Sequence, residues 1–216
     1  MNILELSLLT NDLEGTKSFY NGLLGFPVNH VASSSLSFSV NQSMLTFNQT
    51  EVHNPVYHFA FNIPSDKIIE ALTWVRSRTE VIEFSDNNYI AEFEQWNARS
   101  FYFYDNNRNI VEFIARHDLN VFSELPFDVS SVLSISEIGI VVDDVESYCS
   151  KITNEHELPF FTKQESSDLF TALGDDHGLM LIVRKERNWF PTNIKAASFG
   201  LMATIVNEGT LMEIKI

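Results

Sequence analysis

The chain reads as an α+β protein built from a repeated βαβββ unit, one strand and one helix followed by further strands. Three observations carry that reading. Short apolar runs alternate with polar residues as half-buried strands do, each run gives way to helical spacing just after an aspartate, and the pair of signals recurs along the chain. The copies are ILELSLLTNDLEGTKSFYNGLLGF from Ile3 to Phe26, VYHFAFNIPSDKIIEALTWV from Val56 to Val75, and ISEIGIVVDDVESYCSKI from Ile135 to Ile152.

In unit one, Asp12 stands where a side-chain oxygen can accept an unpaired N–H of the first helical turn. Leu13, Thr16, Tyr20, Leu23 and Leu24 follow at helical spacing, and Gly25 is suited to the left-handed residue that ends a helix. Strands are expected at Val28 to Val31, Leu36 to Val40 and Met44 to Asn48, separated by the turn-rich SSS and NQS stretches. Unit two repeats the order: Asp66 as cap, Ile68, Leu72 and Val75 on one helix face, then strands at Val81 to Phe84, Tyr89 to Glu94, Ser100 to Tyr104 and Asn109 to Ala115. The DNNRN turn joins the last two as a hairpin.

The stretch from His117 to Ser131 contains Pro126 and lacks a sustained period, so it reads as a linker. Unit three has Asp143 or Asp144 as its cap, strands at Leu169 to Leu173 and Leu179 to Val183 around the GDDHG turn, and then the loop RNWFPT. Beyond it GLMATIV and TLMEIKI leave room for two strands and no helix, so a fourth unit is truncated. The expected organisation is a domain at 1–117, a linker at 118–131 and an incomplete domain at 132–216.

With 216 residues, 44% of them hydrophobic, the chain can bury a substantial core, and its 18 phenylalanines are expected to supply it. A net charge of -15 with scattered lysines and arginines argues against nucleic acid as a partner. No run of about 18 apolar residues suggests a membrane span and no secretory signal is apparent. The single cysteine, Cys149, has no internal disulfide partner and is read as a small apolar helix residue, which fits a cytoplasmic location.

Alternation along strands sorts the polar residues. In VYHFAFNI, Tyr57, Phe59, Phe61 and Ile63 form the face that helices would cover, while His58, Ala60 and Asn62 point the other way. Glu5 and Ser7 oppose Leu4, Leu6 and Leu8; Glu112 opposes Val111, Phe113 and Ala115; and Tyr102 and Tyr104 oppose Phe101 and Phe103. If units one and two pair through equivalent strands, Glu5, His58 and Glu112 converge on one cleft. One imidazole and two carboxylates suit a divalent cation such as zinc, iron(II), manganese or nickel, with positions left open for water or substrate. Taken singly, each of these residues also fits a solvated position on a half-exposed sheet. His177 is read as a turn residue, Trp189 as a surface aromatic, and Arg99 as either a surface charge or a partner for a substrate carboxylate.

The motifs NDLEGTKSFYNGLLGF and FYFYDNNRNIVEFI, with the unit layout, resemble the vicinal oxygen chelate superfamily of glyoxalase I, bleomycin-resistance proteins, fosfomycin-resistance enzymes and extradiol dioxygenases. The resemblance covers the first half well and the remainder weakly. It implies paired units forming a curved half-barrel sheet with helices outside, plus a second, degenerate unit pair. It also implies metal ligands on the first and last strands of each unit, at Glu5, Met44, His58 and Glu112. Glu5 stands where histidine is usual, and the Met44 thioether is a poor ligand for hard ions, which leaves Glu5, His58 and Glu112. Tyr102, Asp105 and Glu112 resemble the extradiol signature in order and spacing, which gives Tyr102 a catalytic role as a hydrogen-bond or proton donor to substrate oxygen. AEFEQWNA has no histidine where those dioxygenases place their acid–base residue, and Met44 offers no carboxylate base for glyoxalase chemistry. Glu137 and Glu213 repeat the parity of the site residues in the second half but are read as structural.

The resemblance implies a divalent-metal-dependent enzyme of dioxygenase or lyase type acting on a small oxygen-chelating substrate, as a monomer or homodimer. The alternative it allows is a metal-free small-molecule binder of the bleomycin-resistance type.

Overall fold

A computed structural model describes residues 1–216. Unit one opens with β1 (Asn2–Thr10) and α1 (Leu13–Lys17), which widens into a π turn over Ser18–Leu23. Asp12 caps the helix as its sequence predicts, accepting the Gly15 N–H at 2.8 Å. Gly25 then takes a φ of +84°, a backbone angle that side chains disfavour, and the chain turns into β2 (Val28–Val31), β3 (Ser35–Val40) and β4 (Ser43–Gln49).

Unit two contains β5 (His58–Ile63), α2 (Ile68–Arg76), β6 (Val81–Ile82), β7 (Ala91–Phe93), β8 (Ala98–Tyr104) and β9 (Ile110–Arg116). Here the expected cap is not used. α2 begins after Lys67, and the Asp66 carboxylate instead accepts the Ser123 N–H at 3.2 Å. Glu70 likewise accepts the Phe127 N–H at 3.0 Å, and the Phe127 ring packs 5.6 Å from Trp74. Residues 117–131 are therefore fastened to α2. The strand expected at Tyr89 to Glu94 is shorter, because Glu94–Trp96 forms a helical turn ended by a left-handed Asn97.

Asp105 organises the β8–β9 turn. Its Oδ1 accepts the backbone N–H groups of Asn107 and Asn109, each at 2.9 Å, and its Oδ2 accepts the Tyr20 hydroxyl and the Asn109 amide, each at 2.8 Å. The aspartate of the extradiol-like motif is thus a buried structural group tied to the first helix.

Unit three contains β10 (Ser134–Val142), α3 (Val145–His156), β11 (Phe170–Asp175) and β12 (Gly178–Arg184), with Asp144 capping α3 through the Ser147 N–H at 2.9 Å. The truncated fourth unit is the hairpin of β13 (Met202–Asn207) and β14 (Thr210–Lys215).

Strand registers show which units meet. β5 lies parallel to β9 and antiparallel to β10, joining unit two to unit three. β1 lies parallel to β4 and antiparallel to β13, joining unit one to unit four. β1 and β10 touch at a single pair, Ile3 with Ile135, which links the two halves into one 14-stranded sheet. The expected pairing of unit one with unit two is therefore replaced by pairing across the 117–131 segment. Alternation fixes which face of a strand is apolar but not which strand fills its free edge, so either pairing satisfies the same sequence pattern.

The two faces are cleanly sorted. Phe59, Phe61, Phe101, Phe103, Val111 and Phe113 are fully buried in the large core that also takes in residues of α2 and α3. Ala60, Tyr102, Ile110, Ile114 and Leu181 belong to a second cluster on the opposite face. Each buried phenylalanine contributes about 1.5–3 kcal/mol, so this layer holds the site strands rigidly in register.

Candidate metal centre

Three buried side chains meet where unit two faces unit three. His58 on β5, Glu112 on β9 and Glu137 on β10 each bring a donor atom within 4.8 Å of the others. Register explains the convergence: Ala60 pairs with Glu112 on one side of β5 and with Glu137 on the other. A single row across three adjacent strands thus carries both carboxylates, with His58 two residues away on the same face.

The imidazole is preoriented. His58 Nδ1 lies 3.0 Å from the Ile110 carbonyl oxygen, which fixes the proton there and turns the Nε2 lone pair toward Glu112, 3.4 Å away. Burial lowers the His58 pKa to about 4; the Ile110 hydrogen bond opposes this and the charge of Arg187 adds to it. The ring is neutral at pH 7, as a metal ligand must be.

Burial, and then the charge of Glu137, push the Glu112 carboxyl well above the usual range. Burial also raises Glu137, against the pull of Arg116. Arg116 is fully buried, ion-paired with Glu137 and 3.6 Å from Asp176, which Lys163 holds at 2.6 Å. Glu112 has no cation paired with it directly: its neighbours are the neutral His58 and the hydroxyls of Ser100 and Tyr102, and Arg116 acts on it only through its charge. A buried carboxylate without a cation either takes up a proton or binds a positive ion. One nitrogen and two carboxylate donors, with the histidine tautomer set by a backbone carbonyl, fit a divalent metal.

Tyr102 lies beside this group, paired with Glu112 across β8 and β9, its ring centroid 6.1 Å from that of His58. Burial first and the Glu112 charge second raise its pKa far enough that the phenol stays protonated at neutral pH. It can donate a hydrogen bond but is no base.

Two of the residues placed by sequence lie elsewhere. Glu5 sits on β1 in the other half of the sheet, where its Oε1 accepts the Thr46 hydroxyl at 2.9 Å, and it is outside the cluster. Met44 pairs with Glu5 itself, whereas Glu112 pairs with the residue two beyond His58, so the equivalent position in unit one is Thr46. Glu137, read from sequence as structural, takes the place expected of Glu5. The same offset in unit three falls on Leu181, opposite Gly139, so no fourth protein donor is present. The signal for Glu137 was its parity with His58 at the start of a unit; what the sequence lacked was the identity of the neighbouring strand.

The cluster opens into a cavity of about 560 Å³ whose lining includes Trp96, Tyr102, Arg187, Trp189 and Phe190. Trp189 is buried rather than a surface aromatic, its ring centroid 5.3 Å from that of His58. It lies over Gly139, where an added Cβ would come within 2.4 Å of the indole. Arg99 is engaged by Glu92 at 3.4 Å. Cys149 is buried and free, as expected of a packing residue.

The sequence profile described as Glyoxalase/Bleomycin resistance protein/Dioxygenase superfamily matches residues 2–189. The chain belongs to that superfamily. No curated protein matches the sequence. Among solved structures, a proposed dioxygenase from Bacillus subtilis strain 168 aligns over 98% of this chain and 68% of its own, with a TM-score of 0.61 and 13% identity, which supports the shared fold. Shorter matches include a lactoylglutathione lyase from Agrobacterium tumefaciens (TM-score 0.43, 20% identity, 51% of this chain and 90% of that one). Another is a point mutant of the fosfomycin resistance protein FosX from Listeria monocytogenes, solved with Mn(II) and a dihydroxypropylphosphonic acid (TM-score 0.42, 19% identity, 53% of this chain and 89% of that one). No helix is long and apolar enough to cross a membrane.

Proposed function

We propose that this protein is a divalent-metal-dependent enzyme of lyase or dioxygenase type, acting in the cytoplasm on a small substrate that chelates through two oxygens. The observation that carries the reading is the buried His58, Glu112 and Glu137 triad within 4.8 Å at the floor of a cavity. His58 Nε2 and one oxygen from each glutamate would hold iron, manganese, zinc or nickel. A divalent ion there would supply Lewis-acid polarisation of a chelated substrate oxygen.

The side chains around the triad have their own parts. Tyr102 presents a neutral phenol that donates a hydrogen bond to the substrate oxygen or passes it a proton. Trp189 covers His58 and keeps water from that side. With Leu181 at the fourth position, the protein would supply three donors and leave the remaining coordination to water or substrate.

One observation favours a second reading, a metal-free binder of small molecules. Arg116 already satisfies Glu137 through a buried ion pair, so that carboxylate is stable without a metal. The two readings separate in a turnover screen of catechols and 2-oxoaldehyde hemithioacetals with Fe(II), Mn(II), Ni(II) or Zn(II). The enzyme reading expects turnover that a chelator abolishes and that Tyr102→Phe lowers. Tight ligand binding that survives the chelator, without turnover, would favour the binder.

A further inference from the structure

We infer that the cavity selects a planar aromatic monoanion, and that Arg187 is the residue that reads its charge. The inference rests on the cavity being the small-molecule site proposed above and names the ligand class it takes.

Arg187 follows β12 and lines the cavity, half-buried, its guanidinium carbon 5.1 Å from the centroid of the Phe170 ring. It forms no ion pair; its hydrogen bond is to the Asn188 carbonyl oxygen at 3.4 Å. Arg116, Arg99 and Lys163 are by contrast engaged: Arg116 by Glu137 and Asp176, Arg99 by Glu92, and Lys163 by Asp118 and Asp176. In a chain of net charge -15, acidic partners are plentiful, yet this one half-buried guanidinium on a cavity wall has none. A planar, weakly hydrated cation in that setting is matched by a carboxylate of the ligand, which it can hold bidentately.

The ligand's body is read from the walls. Phe190 stands at the rim, 40% exposed, with its ring 5.6 Å from Tyr102 and 6.0 Å from Phe93, both edge-on. Trp96 lies 5.7 Å from Phe93 on the same wall. An apolar ring left open to water beside other rings gains most from a flat aromatic guest, which adds another edge or face contact of the same kind. Of the carboxylates that line the cavity, Glu137 is held by Arg116, Glu92 by Arg99, Glu112 is turned to His58, and Glu94 is exposed, where water screens it.

The test is calorimetric titration of 1-naphthylacetate and its neutral analogue 1-naphthylacetamide into the full chain, with Mn(II) and after chelation. Wild type is compared with Arg187→Gln and Arg187→Lys, with bound manganese measured in parallel. We expect wild type to favour the carboxylate about tenfold or more, as loss of a charge-assisted hydrogen bond implies. Arg187→Gln should abolish that preference while keeping the amide affinity, and Arg187→Lys should retain part of it. Equal affinity for the two compounds, a preference that survives in Arg187→Gln, or no binding of either would overturn the inference. An Arg187-dependent preference in a protein that takes up no metal would sustain it while the metal reading failed. Metal uptake without such a preference would do the reverse.

Discussion

Arg116→Met isolates the electrostatics of the site. The guanidinium is fully buried against Glu137, and the substitution leaves that carboxylate in the interior with no cation. Breaking one side of a buried pair costs about 3–5 kcal/mol, whereas replacing both partners with neutral groups of similar size costs far less. For a chain of this length each kcal/mol corresponds to roughly 2–4 °C, so chelator-treated Arg116→Met should melt ~6–20 °C below wild type. The double variant Arg116→Met with Glu137→Gln should recover most of that loss. Metal should raise the melting temperature of Arg116→Met more than that of wild type, because it can replace the missing positive charge. Thermal melts by circular dichroism with and without Mn(II) give all of these quantities. A single variant within about 1 kcal/mol of wild type, or a double variant no more stable than the single, would refute the reasoning.

Other perturbations test separate parts of the account. Asp105 titrates at about 6 in the folded chain against 3.8 ordinarily, chiefly because it is buried. The folded state therefore holds the extra proton between those values, and the stability linked to it is present below pH 3.8 and lost as pH rises through 6. This amounts to about 3 kcal/mol in all, so urea melts should show wild type losing about 2–2.5 kcal/mol relative to Asp105→Asn between pH 4 and 7. Gly139→Ala drives a methyl into the Trp189 ring, and should destabilise the chain by about 1–3 kcal/mol and shift the tryptophan emission, read in the same melts. Removing the Tyr20 hydroxyl with Tyr20→Phe deletes its hydrogen bond to buried Asp105 and should cost about 1.5–3 kcal/mol in denaturant unfolding.

The repeat was legible because each unit carries its own alternation and helix start, and Asp12 and Asp144 cap as their positions suggest. Asp66 did not, because a segment some 57 residues later competes for its oxygen, and such a partner leaves no local mark. His58, Glu112 and Tyr102 could be placed on one face by parity, since β5, β8 and β9 are neighbours within a unit. Glu5 and Glu137 could not be distinguished that way. Both stand on the first strand of a unit, and only the pairing of β5 with β10 brings Glu137 to the cluster. Trp189 was hidden for a related reason: a loop aromatic becomes a buried wall only because Gly139, on a strand fifty residues earlier, leaves room for it.

The most direct test of the central claim compares bound metal in untagged wild type with His58→Ala, Glu112→Gln, Glu137→Gln and Glu5→Gln. The structure predicts about one divalent ion per chain in wild type and Glu5→Gln, and its loss in the other three, since ligand loss weakens binding by more than the roughly 10–100-fold expected of supporting groups. A wild type that takes up no metal, or a site that survives Glu137→Gln and disappears in Glu5→Gln, would contradict it.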